Sequence, residues 1–235
     1  SVSDPGMPAP DTLCVGSALA ARLQLHTGRE RVTAFEVVDS LRVPHSSETR
    51  SIDRVRVAGR ECWLVSRRWK SAATSDTSSH SVLVDARTLA MVREWTRASR
   101  DSGEAVLEGG RLIGWHMSRG DSAESLRVAI SPGALPAGLT SAVVSSLPLA
   151  EGYVVHIRTF NMWAHGAEQW IELSVAGEAV LPFHGHDVRC WRVRSDGLRA
   201  WGVEQEFWVD ASAHRLLLTV TRDPRTRRTR REEVL

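Results

Sequence analysis

Cys62-Trp63, Val84-Asp85-Ala86 and Thr96-Arg97 form a succession that returns later as Cys190-Trp191, Val209-Asp210-Ala211 and Thr221-Arg222. Nine residues separate Val-Asp-Ala from Thr-Arg in both places. The offset is 125 residues for these two elements and 128 for the Cys-Trp pair, so only a small slip separates the alignments. Each copy reads as strand, tight turn and strand, with β-branched and aromatic residues flanking an Asp that can bond to its own turn. The pattern predicts an internal duplication of a hairpin unit, with both copies sharing one core. Asp85 and Asp210 also admit a reading as an acid–base carboxylate pair. Their matching places beside a turn favour the structural role.

Working outward, period two dominates the chain. Phe35, Val37, Leu41 and Val43 fall largely on one face. Arg50 to Val57 and Glu61 to Trp69 flank Ala58-Gly59, while Glu104 to Leu107 and Arg111 to Met117 flank Gly109-Gly110; both read as hairpins. Leu126, Val128 and Ile130 alternate, as do Tyr153, Val155 and Ile157, and then Ala167, Ile171, Leu173 and Val175. Thr226 to Val234 is an arginine-rich edge strand, whose charges oppose edge-to-edge aggregation. One helix is expected over Ala137 to Leu147, with Leu139, Val143, Val144 and Leu147 on one face and Pro136 and Pro148 as punctuation. The expected fold is mainly β: a single curved antiparallel sheet, a half-barrel of about eleven strands, with one or two helices on its concave face. Residues 1–30 are expected to be a loose N-terminal segment. Residues 31–235 are expected to form one domain, whose related halves, 31–130 and 150–235, are joined by a helical segment, 131–149.

Composition excludes some functions. Thirty Lys and Arg against 28 Asp and Glu give a net charge of +2, too little to favour nucleic acid. No apolar run reaches the ~18–20 residues of a membrane-spanning helix. Thr12 to Leu25 comes nearest, but it contains Arg22 and does not read as a signal peptide; such a peptide is taken to have been removed before Ser1. Of the three cysteines, Cys62 and Cys190 could pair if the hairpins abut, or remain buried free thiols.

Catalytic signatures such as G-x-S-x-G, H-E-x-x-H, a Walker loop and C-x-x-C are missing from the sequence. His184-Gly185-His186-Asp187 is the most metal-like cluster, yet it reads as a β-turn. No catalytic residue, cofactor or metal is therefore expected, and the balance leans against an enzyme. The nine tryptophans carry more information. Trp63 and Trp191 share faces with Val65 and Val193 and read as core. Trp170 and Trp208 lie among glutamates, opposite their strands' apolar stripes. Trp115 and Trp163, near His116 and His165, lie at strand ends or loops, where pocket mouths form. The expected ligand- or partner-binding set is Trp115, Trp163, Trp170 and Trp208, with Leu139, Val143 and Leu147 from the helix acting as a lid.

Ser146-Leu147-Pro148-Leu149-Ala150-Glu151-Gly152-Tyr153, then Cys190-Trp191-Arg192-Val193 and Phe207-Trp208-Val209-Asp210-Ala211, resemble an uncharacterised family of bacterial envelope proteins, a domain of unknown function. That family looks related to the lipoprotein-carrier fold of the Lol system, a half-barrel whose concave side is covered by helices. The resemblance covers roughly Arg31 to Val234 and supplies no active-site residues. It implies a non-enzymatic periplasmic or extracytoplasmic protein that binds an apolar, lipid-like ligand or another envelope protein. Two alternatives are a structural subunit of an envelope complex and a half-barrel enzyme acting on an aromatic or polyketide-like substrate.

Overall fold

Among the described residues, period-two alternation becomes sixteen strands in one open, curved sheet. The computed structural model describes residues 11–74, 76–98, 101–118, 121–198, 202–226 and 228–235. The first eight long strands form a meander: β2 (Gly28–Val38), β3 (Leu41–Val57), β4 (Arg60–Ser71), β5 (Thr77–Asp85), β6 (Met91–Ala98), β7 (Asp101–Glu108), β8 (Arg111–Ser118) and β9 (Glu124–Ala129). A second meander follows: β11 (Val154–Asn161), β12 (Ala167–Phe183), β13 (His186–Ser195), β14 (Glu204–Asp210), β15 (Leu216–Asp223) and β16 (Arg228–Val234). The two meanders join in mid-sheet, where β16 pairs antiparallel with β2. Two short strands, β1 (Asp11–Leu13) and β10 (Leu135–Pro136), pair parallel with β11. The sheet thus ends at β9 on one side and at β11 with its short partners on the other. No helix among the described residues is long and apolar enough to cross a membrane.

The strand count exceeds the expected eleven for local reasons. β1 and β10 are three and two residues long, too short to show periodicity. The stretch around Phe35 to Val43, read as one face, is two strands joined by Asp39 and Ser40, which take positive φ without a glycine to signal the turn. A bulge between Ala34 and Phe35 then shifts the register, and Leu41 and Val43 end up exposed. Residues 11–30, expected to be loose, hold β1, the helix α1 (Ala18–Arg22) and the start of β2. Ser17 caps α1 by accepting from the Ala20 amide, and Leu13, Ala20, Leu23 and Leu25 are buried. Residues 1–10 lie outside the described residues.

The two Cys-Trp hairpins are built alike. Cys62 pairs with Asp85, and Cys190 with Asp210. Asp85 Oδ1 accepts from the amides of Arg87 and Thr88 and from the Thr88 hydroxyl; Asp210 Oδ1 accepts from the amides of Ser212 and Ala213 and from the Ser212 hydroxyl. Ala86 N donates to Glu61 O, and Ala211 N donates to Arg189 O, both at 2.9 Å. Burial pushes both Asp carboxyls up, but the turn hydrogen bonds outweigh it and hold them below the usual range. Six strand positions separate β4 from β13 along the curved sheet. Cys62 and Cys190 are buried free thiols.

The main core lies on the concave face. Trp63, Val65, Val82 and Val84 face Val155, Ile157, Leu173, Val193 and Phe207 across it. The space between is filled by α1 and by a 3-10 turn (Ala137–Leu139) running into the short helix α2 (Thr140–Val144). The helix is shorter than the expected span to Leu147, and it is buried on more than one stripe: Ala142, Val143 and Val144 are all in the core. A smaller cluster of Leu181, Cys190, Leu217, Leu218 and Val220 lies apart from it. The arm formed by β12 and β13 beyond the Val175/Glu178 bulge brings Phe183 against this cluster, and His184 Nε2 sits 3.0 Å from the Val234 carbonyl.

Candidate functional site

The inward columns of the sheet change character along their length. On β4 the inward residues run Trp63, Val65, Arg67, Trp69; on β5, opposite them, they run Val84, Val82, His80, Ser78. On β3 they run Ile52, Arg50, Glu48. Across the concavity, β14 runs Val209, Phe207, Gln205, and β11 runs Val155, Ile157, Thr159, Asn161. The apolar end is the core that the helices cover. The polar end is a mouth.

Three cavities open around the central helical segment. A cleft of 870 Å³ is lined by Arg67, Trp69, His80, Glu94, Thr96 and Asn161, among others. A 250 Å³ cavity adjoins it, where Arg50, Arg67 and Glu232 meet Gln169, Gln205 and Thr219. A 430 Å³ cavity is lined by Ile52, Val65 and Leu216 together with Ser141, Ala142 and Ser145 of the helical segment.

An ion-pair lattice lines one side of the mouth. Glu48 Oε1 accepts from Arg50 Nε at 2.9 Å and from Arg67 Nε at 2.6 Å, and Arg50 Nη2 also reaches Glu232 Oε2. Burial pushes the Glu48 carboxyl up, but the hydrogen bonds and charges of Arg67 and Arg50 outweigh it and bring the carboxyl down to about 2. This lattice satisfies itself.

The wall beside it does not. His80 Nε2 lies 2.8 Å from Glu94 Oε1 in a hydrogen bond, and Glu94 is 3% exposed. The other carboxylate oxygen, Glu94 Oε2, is buried without a hydrogen-bond partner, and so is the hydroxyl of Thr96. An unsatisfied buried polar group costs about 1–3 kcal/mol. The 3-10 turn packs against the imidazole: a Cβ on Gly138 would stand 2.4 Å from His80 Cε1, so a side chain there would force the ring or the turn to shift.

The residues expected from the sequence do not converge here. Leu139, Val143 and Leu147 are each 1% exposed and belong to the core beneath the cavities. Ser141, Ala142 and Ser145 line the 430 Å³ cavity in their place. Trp115 pairs with Glu104 across β7 and β8, with the Arg97 guanidinium 6.0 Å from its ring. Trp163 belongs to a 3-10 turn (Met162–Ala164); its side chain lies outside the described residues. Trp170 is 55% exposed with Arg158 over its ring, and Trp208 donates to Glu206 Oε1 and carries Arg192. Trp208 pairs with Arg192, which stands opposite the β12 bulge, so Trp170 lies roughly six residues away along the strand, about 20 Å. The two rings do not form one patch. His184 and Gly185, both at positive φ, make the tight turn expected of them.

Arg50, Arg67, Glu48, Glu232, His80, Glu94 and Thr96 escaped the sequence reading. Their signal was phase: Arg50 keeps step with Ile52, Arg67 with Val65, and His80 with Val82, so charged and polar groups occupy inward positions of apolar stripes.

No family model matches the chain, and no curated protein matches it in sequence. Among solved structures, it is similar to a β-barrel-like protein of a domain of unknown function, DUF1849, from Brucella abortus. That crystal structure shares 8% identity with this chain at a TM-score of 0.49, and the match covers 91% of this chain and 97% of the other.

Proposed function

We propose that this is a non-enzymatic binding protein whose half-barrel mouth takes a small, donor-rich polar ligand of the saccharide kind. One observation carries the reading: Glu94 Oε2 and the Thr96 hydroxyl are buried in the wall of the 870 Å³ cleft with no protein partner. A carboxylate oxygen only accepts hydrogen bonds, so a ligand that displaces the side chains covering it presents hydroxyl or amine hydrogens to it. Trp69, on the same cleft, offers a flat apolar surface for the carbon face of a sugar ring. The resemblance of the 146–153 and 190–211 segments to envelope proteins supports an extracytoplasmic setting. A lipid-like ligand belongs to this proposal only as the tail of a polar head, because the chain's own helices fill the apolar end of the concavity.

Saturation-transfer NMR with glucosamine, N-acetylglucosamine and inositol tests the proposal. At least one probe should receive magnetisation from the wild-type protein and lose it in Glu94→Gln or Thr96→Val. No transfer to any probe, or transfer unchanged in both variants, contradicts it. A second reading, a half-barrel enzyme, draws on the His80–Glu94 pair as an acid–base dyad. Conversion of a probe during the same experiment would favour that reading.

A further inference from the structure

The open sheet has a seam, and three metal-ligating side chains meet on it. β8 and β9 end the sheet on one side, and the turn leading into β12 lies toward the other. The Ser131 amide, just past β9, donates to Glu168 Oε1 on β12 at 2.6 Å. A Cβ on Gly166 would stand 2.9 Å from Ile130 Cδ1 and 3.1 Å from Val128 Cγ1, so the turn is packed directly on β9. This close approach carries His165 to His116: their ring centroids are 4.7 Å apart, edge to face. Glu124, opposite His116 in the β8–β9 register, places Oε2 3.2 Å from His116 Nε2. One ligand atom from each of His116, Glu124 and His165 lies within 4.8 Å of the others.

We propose that His116, Glu124 and His165 bind a divalent first-row transition-metal ion, with Zn²⁺ as the type case, and that the ion clamps the seam of the sheet. Two imidazoles and a carboxylate suit such an ion better than Mg²⁺ or Ca²⁺, which take oxygen ligands. Ligand atoms about 2.0–2.2 Å from one tetrahedral ion lie about 3.3–3.5 Å from each other. The His116–Glu124 separation of 3.2 Å is already close to this, so the main movement binding requires is that His165 draw in. That residue is exposed, on a turn, and holds a left-handed φ of 51°. His116 is buried while the other two ligands are exposed, so water can fill the remaining coordination positions. The site is separate from the His80–Glu94 wall and does not depend on the ligand proposed there.

Calorimetric titration of ZnCl₂ into protein stripped with EDTA and dialysed tests the proposal on wild type, His165→Asn, Glu124→Gln and His186→Asn. Wild type should bind one Zn²⁺ per chain and melt at a higher temperature with the ion present. His165→Asn tolerates the left-handed backbone and should keep the metal-free melting temperature. Losing an outer-shell partner costs about 10–100-fold in affinity, and losing this direct ligand should cost more than that. Glu124→Gln should bind more weakly than wild type, and His186→Asn, at the start of β13 and outside the cluster, should bind as wild type does. The proposal is overturned if wild type shows no saturable site, if His165→Asn binds as tightly as wild type, or if the ion follows His186 instead.

Discussion

The concave face has two ends built on the same strands to different specifications. At the floor, β4 and β5 present Trp63, Val65, Val82 and Val84, all buried against the helical segment. A few residues on, the same strands present Arg67, Trp69, His80 and Ser78 to an open cleft. Alternation decides only which residues point inward; it is the identity of each inward residue that makes one end a core and the other a mouth. The floor maximises packing. The mouth retains Glu94 Oε2 and the Thr96 hydroxyl unpaired, an arrangement that stability alone would not favour.

Substitutions should separate the two ends. The largest effect belongs to the floor: Trp63→Ala, at 3% exposure, should destabilise by about 3–5 kcal/mol in urea unfolding. Trp191→Ala should cost less, because that ring is only partly buried despite its matching place in the other hairpin. Equal losses would show that burial does not distinguish the two rings.

Next comes the ion-pair lattice, read through acid. The folded Glu48 carboxyl lies at about 2, below its ordinary 4.5, so its stabilisation is fully present above pH 4.5 and is lost as pH falls toward 2. The shift corresponds to about 3 kcal/mol. Glu48→Gln should flatten that part of the stability–pH curve; an unchanged curve would mean that the lattice does not couple to folding.

Gly138→Ala should follow, at about 1–3 kcal/mol for overpacking against His80. His80→Ala in the same chain should relieve most of that loss. If it does not, the contact between the turn and the imidazole is not what constrains this glycine.

Much of the floor was legible in the sequence. Trp63 and Trp191 read as core from their phase with Val65 and Val193, and the Val-Asp-Ala elements placed both turns. The mouth was not legible, because its residues are individually ordinary: Arg50 or Glu94 in a strand reads as a solvated face until the sheet's curvature shows which way it points. The tryptophans stand out for the opposite reason. Trp115, Trp170 and Trp208 are conspicuous residues, but each is taken up by a neighbouring arginine. The helix stripe also read as a lid, because the sequence does not reveal that Ala142, off the stripe, would be buried as well.

The central claim is that the mouth is kept polar for a ligand rather than for the fold, and Thr96→Val tests it most directly. Valine keeps the shape and removes a buried hydroxyl that has no partner. Equilibrium urea unfolding of this variant should show stability equal to wild type, or higher by up to about 1 kcal/mol. A loss of more than about 1 kcal/mol would show that the hydroxyl serves the fold and would contradict the account.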